Sequence, residues 1–466
     1  MKSMPNILKW LRAAVLVGFA LTSPAAALEP PAAKMATGPA GKAGQQNVDA
    51  GHAQVAPAVA PNSLPAAATT FHTIELPGRS LRFKAIAGSI RLSDAESLAP
   101  KADIATTAFI LEGTDAAKRP VTFAINGGPG AASAWLDLGA MGPWRLPLDH
   151  ASPSAPPVTI DNADTWLDFT DLVFIDPPGT GYSRILATGD ETRRYFYAVN
   201  GDIEALAVTI RKWLAANKRL DSPKFIVGES YGGFRAPKLA RRLQDEEGIG
   251  VSGLVLISPV LDFGWFEGAN NPLTFATRLP SQTAVARGLA GPEGRAALAD
   301  VEAYAIGPYL ADLLRGERDP QALSRIADKV ASFTGLDPAL VRKLGGRIDM
   351  ATFARERDRA SGKVTSPYDA RASGFDPSPH AAASDYSDPV LDAIKTPLAS
   401  AMADLTRNRL GWTVEARYEI LNENVTRAWN WGSRRDRVEA LSDLKRAMAL
   451  DPSLRVLVAH GLTDQV

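Results

Sequence analysis

Five short apolar runs constrain the fold of this chain more than any other feature, because glycine, proline or aspartate soon follows each of them. They are VTFAI, LVFI, FIV, LVLI and VLVA, at residues 121–125, 172–175, 225–227, 254–257 and 456–459. Continuous apolar runs of this length are typical of parallel strands buried on both faces. Helical periodicity lies between several of them, at 202–217 and 234–246. The alternation predicts an α/β fold with a mostly parallel central sheet flanked by helices.

The sheet pattern has an interruption that defines the domain organisation. Residues 71–260 read as the first part of the core, and they open with alternating segments at 72–91 and 102–112 that predict antiparallel edge strands. Residues 261–452 carry amphipathic helical stretches instead, at 294–314, 320–333 and 438–450, and a loose part at 363–389. Sheet-like residues resume at 453–466, which favours a large helical cap insertion over an independent second domain.

The N-terminal 27 residues have the pattern of an export signal. Basic residues precede a short apolar run at 13–23, and Ala25-Ala26-Ala27 supplies an A-x-A cleavage site. The run is too short to cross a bilayer, so a cleaved signal peptide is favoured over an anchor, with a plain amphipathic helix as the alternative. Residues 28–70, rich in alanine and proline, predict a disordered linker.

Composition excludes several classes of function. Lys plus Arg equals Asp plus Glu at 51 each, so no net charge draws the chain to nucleic acid or an anionic membrane. Cysteine is absent, which excludes disulfides and thiol catalysis. An exported chain without cysteine suits a bacterial periplasm, or secretion from a bacterium, better than a eukaryotic secretory route. No integral membrane segment is expected after the signal.

A G-x-S-x-G motif, Gly228-Glu229-Ser230-Tyr231-Gly232, lies between a predicted strand and a predicted helix. In that context the serine is expected on a sharp, strained turn that exposes its hydroxyl and aims the next backbone N–H at an oxyanion. Ser230 is therefore the candidate nucleophile. The alternative is an ordinary glycine-rich turn.

Three further segments follow predicted strands and are expected at the same edge of the sheet. Residues 126–130 (NGGPG) offer bare backbone donors, and Gly128 and Tyr231 N–H are the candidate oxyanion hole. The loop 176–183 (DPPGTGYS) reads as rigid, with Asp176 orienting it. In 461–464 (GLTD), Asp464 has the place of a triad acid, since the order is serine, acid, histidine. Each segment also admits a plain turn as its alternative.

Together, NGGPG, DPPGTGYS, GESYGG and GLTD resemble the serine carboxypeptidase family, peptidase S10, over residues 75–260 and 453–466. The resemblance implies an α/β-hydrolase fold, with Ser230 as nucleophile and Asp464 as triad acid. It also implies that Asn126, Gly127 and Glu229 bind the C-terminal carboxylate of a peptide substrate. Since two carboxylates in contact repel, one must be protonated, and activity is expected to be strongest at acidic pH.

Two features depart from the family pattern. Ala140, in the stretch 139–143, stands where many members carry a second glutamate, which weakens the expected carboxylate site. The family histidine lies some tens of residues beyond the triad acid, and none of the five histidines matches it: His52, His72, His150, His380 and His460. The chain is therefore expected to be C-terminally truncated and inactive as it stands.

Three functions remain open at this point. The leading one is a serine-type carboxypeptidase that cleaves peptides with a free C-terminus through an acyl-enzyme and needs no metal or other cofactor. An esterase or acyltransferase on the same scaffold is the second. A non-catalytic periplasmic binding protein is the third, although an intact GESYGG motif argues against it.

Overall fold

A computed structural model describes residues 63–148, 152–154, 156–265, 270–381, 388–432 and 438–466. The predicted signal peptide and residues 28–62 of the predicted linker lie outside the described residues. Among the described helices, none has the length and apolar character that a bilayer-spanning segment requires.

The described residues form thirteen strands. They are β1 (Ala68–Leu76), β2 (Arg79–Ser93), β3 (Pro100–Leu111), β4 (Val121–Ile125), β5 (Trp144–Arg145), β6 (Ile160–Asp161), β7 (Asp171–Ile175), β8 (Arg184–Ile185), β9 (Lys224–Glu229), β10 (Gly253–Ile257), β11 (Lys363–Thr365), β12 (Ser373–Phe375) and β13 (Arg455–Ala459).

Eight of these strands form the main path of one sheet, in the order β1-β2-β3-β7-β4-β9-β10-β13, and β8 pairs with β3. The first three strands and the β3–β7 pairing are antiparallel, whereas β7, β4, β9, β10 and β13 run parallel. The five apolar runs are the five parallel strands, as predicted, and the alternating segments form the antiparallel meander. This is the α/β-hydrolase fold.

Fifteen α-helices accompany the sheet in the described part of the chain. They are α1 (Ala134–Leu136), α2 (Asp190–Phe196), α3 (Val199–Ala216), α4 (Tyr231–Asp245), α5 (Pro272–Ala276), α6 (Leu279–Ala286), α7 (Gly291–Ala296), α8 (Ala299–Tyr304), α9 (Leu310–Arg315), α10 (Pro320–Thr334), α11 (Pro338–Lys343), α12 (Met350–Glu356), α13 (Pro389–Asp404), α14 (Glu423–Ala428) and α15 (Leu441–Leu450).

The sheet has an apolar core on each face. On one face, α3 and α4 pack their buried sides, including Ile210, Trp213 and Leu239, against the parallel strands. On the other face, the rings of Phe83, Phe109 and Trp144 pack edge to face, with their centres 5.4–5.9 Å apart. Burial on both faces explains why the parallel strands are apolar throughout.

Helices α5 to α13 follow β10 and form most of the cap. Helices α5 to α12 have a core of their own, whereas buried residues of α13, including Leu398 and Met402, join the core on one face of the sheet. Local signals delimit them: Asp319 caps α10 by accepting hydrogen bonds from Gln321 and Ala322 N–H, and Gly335 ends it in the left-handed conformation. The single helix predicted over 294–314 is instead α7, α8, a π turn at Ala305–Tyr309 and α9. Pro308 lies in the π turn and lacks the N–H that an α-helical bond requires.

Asp171, the first residue of β7, ties together the edge of the sheet that lies away from the strands' carboxyl ends. Its buried carboxylate accepts hydrogen bonds from Arg119 Nε at 2.7 Å, from Leu111 N at 2.9 Å and from Arg219 Nη1. Arg219 Nη2 also donates to Arg119 O at 2.8 Å. One carboxylate thus fixes the approach to β4, the end of β3 and the loop before β9.

Asp171→Ala should destabilise the protein by about 3–5 kcal/mol, since it leaves two buried guanidinium groups without a counter-charge. Urea unfolding monitored by circular dichroism measures the change. Asp164→Ala is the matched control, because the Asp164 carboxylate is exposed and lies 3.5 Å from Arg145, and it should have no measurable effect. Equal stability of the two variants would contradict the role given to Asp171.

Candidate active site

Ser230 lies at the turn between β9 and α4, where its backbone adopts φ 59° and ψ −120°. A positive φ is rare for a residue with a side chain, so neighbouring backbone must hold it in place. Ser230 N–H donates to Ile257 O at 2.9 Å, and Ser230 O accepts from Gly233 N–H at 2.9 Å. A Cβ at Gly232 would overlap Ile125 O, so only glycine fits there. The predicted strained turn between strand and helix is confirmed.

The NGGPG loop lies against this turn. Strands β4 and β9 are parallel neighbours, so the residues after them meet at one edge of the sheet. The approach is so close that a Cβ at Gly127 would overlap Tyr231 N. Gly128, the next residue, has φ +105°, which favours glycine. The structure therefore brings the loop of Gly128 to the N-terminus of α4, where Tyr231 lies, and the two remain the predicted oxyanion donors.

Asn126 and Glu229 form a direct hydrogen bond at the same place. Asn126 Nδ2 donates to Glu229 Oε2 at 2.9 Å, while Asn126 Oδ1 accepts from Leu136 N–H at 3.0 Å. The Asn126 side chain is thus held at both ends. Two of the three residues predicted to bind a substrate carboxylate are in contact, and Gly127 directly follows Asn126 along the chain.

The environment of Glu229 shifts its protonation toward neutral pH. Burial raises the pKa of Glu229 to about 7, the hydrogen bond from Asn126 opposes that rise, and the negative charge of Asp464 adds to it. Glu229 is therefore mostly protonated below pH 7, where it has an O–H to donate.

Asp464 lies in the loop after β13, buried and hydrogen-bonded. Ser258 Oγ donates to Asp464 Oδ2 at 2.5 Å, and Val466 N–H donates to Asp464 Oδ1 at 2.9 Å. Burial raises the pKa of Asp464, and a positive charge on His460 would lower it. The effect of Asp464 on the pKa of Glu229 places the two carboxylates in one electrostatic environment.

Sequence reasoning missed Ser258, which holds this carboxylate. Ser258 directly follows β10, the strand between β9 and β13, and has φ 43°. Its N–H donates to Ala459 O at 2.7 Å, which ties it to the end of β13. The available signal was its position: a serine that follows a central strand faces the same edge as Ser230.

The expectation that the turn exposes the Ser230 hydroxyl is wrong for this structure, because Ser230 is fully buried. The Tyr368 hydroxyl, from the cap, lies close to Ser230 and to Glu229, and burial raises the pKa of Tyr368 well above its usual value. Neither hydroxyl has a hydrogen-bond partner of good geometry. The turn itself is as predicted, and a hydroxyl from the cap lies beside its buried serine.

The cap segment that carries Tyr368 is fastened to the loop that carries Asp464. Gln465 N–H donates to Pro367 O at 2.9 Å, and Ala370 N–H donates to Thr463 O at 3.2 Å. Thr463 Oγ1 also donates to Asp369 Oδ1 at 2.7 Å. Tyr368 cannot leave Ser230 without changing these contacts or turning its side chain.

Asp176 orients its loop, as predicted. Its carboxylate accepts from Ser133 N–H at 3.0 Å, Tyr182 N–H at 3.3 Å and the Tyr418 hydroxyl at 2.9 Å. It thus joins the DPPGTGYS loop to the region just after NGGPG. Ala140, where the family carries a glutamate, is exposed in a π turn at Asp137–Met141.

None of the described histidines contacts Ser230. His72 packs in the antiparallel part of the sheet against Phe83 and Trp144, His380 is exposed in the cap, and His460 lies beside Asp464. His52 and His150 lie outside the described residues. The predicted mismatch between these histidines and a triad base therefore stays a prediction.

A cavity of about 340 Å³ opens beside the acid. Its lining is mostly apolar and includes Val260, Trp265, Leu441 and Val466, with polar groups from Arg278, His460 and Asp464. Arg278 Nε donates to Gln465 O at 2.9 Å, so it also holds the Asp464 loop.

The chain has relatives among curated carboxypeptidases. It is 33% identical over 123 residues to the pheromone-processing carboxypeptidase KEX1 of Metarhizium robertsii, covering 26% of this chain and 18% of the relative. The enzyme of the same name from Talaromyces marneffei is 32% identical over 121 residues, covering 26% and 17%. The matched part thus spans less than a fifth of these relatives. The crystal structure of the prohormone-processing carboxypeptidase from Saccharomyces cerevisiae has a TM-score of 0.49 and 15% identity, over 81% of this chain and 73% of that one.

The family model described as serine carboxypeptidase matches residues 108–263. That segment holds the NGGPG loop, the DPPGTGYS loop and the Ser230 turn, whose contacts with one another are described above. Over these residues, about a third of the chain, the sequence matches the serine carboxypeptidase family, peptidase S10.

Proposed function

We propose that the protein is a serine-type carboxypeptidase that removes residues from the C-terminus of peptides. The hydrogen-bonded pair of Asn126 and Glu229, next to Ser230, is the observation that carries this proposal. An amide donor and a carboxyl group that is protonated below about pH 7 can together bind a carboxylate. A hydrolase that binds only neutral esters has no evident use for such a pair, which argues against the esterase and acyltransferase alternative.

The reaction would proceed through an acyl-enzyme. Ser230 Oγ attacks the carbonyl carbon of the last peptide bond, and Gly128 and Tyr231 N–H stabilise the negative oxygen of the tetrahedral intermediate. Collapse of the intermediate releases the C-terminal residue and leaves an ester on Ser230, which water then hydrolyses. Asp464 would orient the histidine that moves the proton, and Ser258 would hold Asp464.

This mechanism needs a general base at Ser230, and none of the described residues supplies one. His460 is separated from Asp464 by three residues, and we expect it to have a structural role. Loss of one triad member reduces turnover by up to about a million-fold, so activity depends on a histidine that reaches Ser230.

We also propose that the protein is exported. The basic start, apolar run and A-x-A site of residues 1–27 support export, as does the absence of cysteine. The periplasm of a bacterium, or the surrounding medium, is the proposed location.

A peptide with a free C-terminus should bind more tightly than its amide, and the difference should depend on pH. Because Glu229 must be protonated to donate, affinity for the free acid should fall about 30-fold between pH 5.5 and 8.5 as pH rises through 7. Isothermal titration calorimetry with one peptide in both forms measures this, independently of turnover.

Glu229→Gln is the matched variant, since an amide can donate at every pH. It should keep the preference for the free acid and lose the pH dependence. Equal binding of acid and amide by the unchanged protein, or no binding of either at pH 5.5, would remove the carboxypeptidase proposal.

A fluorophosphonate probe should label this chain slowly, and added imidazole should accelerate labelling by at least about tenfold. Imidazole can act as the base that no described histidine supplies to Ser230, and the cavity beside Asp464 has room for it. Fluorescence of the labelled band over time gives the rate. Ser230→Ala should abolish labelling. Rapid labelling that imidazole leaves unchanged would mean that the chain already contains its base, and His460→Gln would then test that residue.

Tyr368→Ala should increase the rate of fluorophosphonate labelling several-fold, because it removes a cap side chain that lies beside the buried Ser230 hydroxyl. Tyr304→Ala is a suitable control, since Tyr304 is also partly buried in the cap but packs against Tyr309 and Phe333. An unchanged rate in the Tyr368 variant would show that the ring does not limit access.

A further inference from the structure

A charged side chain lies buried behind the candidate oxyanion hole. Arg235, on the second turn of α4, has no exposed surface, and Asp202 near the start of α3 has none either. Arg235 Nε donates to Asp202 Oδ2 at 2.7 Å, and Nη2 donates to Asp202 Oδ1 at 3.2 Å. Burying two charges is costly unless pairing and further hydrogen bonds compensate for the lost water, so the position of this pair is tightly specified.

The remaining nitrogen of Arg235 reaches the NGGPG loop. Arg235 Nη1 donates to Asn126 O at 2.5 Å and to Gly127 O at 3.1 Å. These two carbonyls belong to the same peptide units as Gly127 N–H and Gly128 N–H. Both units are trans, so each N–H points opposite to its carbonyl. With the carbonyls fixed on Arg235, the two N–H groups point away from it.

The second candidate donor rests on the same side chain. The guanidinium carbon of Arg235 lies 4.7 Å from the centre of the Tyr231 ring, a cation–π distance. Tyr231 begins α4, and its N–H is the other predicted oxyanion donor. Arg235 therefore contacts the residues on both sides of the proposed oxyanion hole. The positive charge of Arg235, next to the two carbonyl oxygens, also polarises their peptide units and strengthens the N–H groups as donors.

We propose that Arg235, with Asp202 as its fixed counter-ion, is a positioning residue that orients the Gly128 and Tyr231 N–H groups toward the tetrahedral intermediate. This inference rests on the proposed function. It adds a residue that contacts no substrate and acts through the backbone. The carboxylate site shares only the Gly127 peptide unit with Arg235, because Glu229 and Leu136 N–H hold the Asn126 side chain. Disturbing Arg235 should therefore weaken the oxyanion hole more than the carboxylate site.

Arg235→Lys tests this, since lysine keeps the charge but cannot bind a carboxylate with two nitrogens and serve two carbonyls at once. The probe is a peptide boronic acid. The Ser230 oxygen forms a bond to boron and releases its proton to solvent, which leaves a tetrahedral boronate anion with an oxygen in the oxyanion hole. This step needs no base from the protein. Its affinity is compared with that of the free-acid peptide.

In Arg235→Lys, boronate affinity should fall about 10- to 100-fold, while affinity for the free-acid peptide should change less than threefold. Arg241→Lys is the matched control: it lies on the same helix, forms partly exposed ion pairs with Asp245 and Asp443, and should change neither affinity. Thermal unfolding confirms that each variant is folded. Equal losses for both ligands, or no loss of boronate affinity, would overturn the proposal.

Two further variants separate the possible failures. The neutral pair Arg235→Gln with Asp202→Asn removes both charges together, so no lone buried charge opposes folding, and it should show the same selective loss of boronate binding if Arg235→Lys does not fold. Ser230→Ala should abolish boronate binding. If it does not, the boronate is not on Ser230 and the proposed function itself fails.

Discussion

The structure of this site depends on how closely three backbone segments approach one another. The Ser230 turn, the NGGPG loop and the segment after β10 lie so near that a Cβ at Gly127 or Gly232 would overlap backbone atoms, and one at Gly233 would overlap Pro259. Hydrogen bonds from this neighbourhood hold Ser230 at a φ that its own side chain disfavours. The parallel order of β4, β9 and β10 is what makes the approach possible, because it aligns the ends of these strands.

Buried charges fix the two ends of this sheet in different ways. At the edge away from the site, the carboxylate of Asp171 forms ion pairs with two arginines and so joins chain segments that begin or end there. At the site, the guanidinium of Arg235 pairs with Asp202 and donates further hydrogen bonds to two carbonyls of the NGGPG loop. The first arrangement holds strands in register. The second holds peptide units in orientation, which is the property that an oxyanion hole requires.

The sequence was sufficient to predict the parallel strands and the loops at their ends, because burial on both faces requires unbroken apolar runs and each run here has a clear end. It was not sufficient for Tyr368, whose contact with Ser230 depends on how an inserted cap folds back over the sheet. Arg235 was also missed, since an arginine within a helical pattern reads as a solvated residue. Pro308 did carry a signal, and the helix predicted over 294–314 is interrupted there.

Enclosure by the cap links access to chemistry at this site. Burial raises the pKa of Glu229 to about 7, and the Tyr368 hydroxyl from the cap lies close both to Glu229 and to the fully buried Ser230. A substrate that displaces Tyr368 would admit water and change the dielectric around Glu229, unless its own C-terminal residue fills the space. A peptide that fills it keeps Glu229 protonated and so strengthens the hydrogen bond to its own carboxylate. The size of the substrate's C-terminal residue and the recognition of its carboxylate would then be coupled, because both depend on how completely that residue replaces the Tyr368 ring.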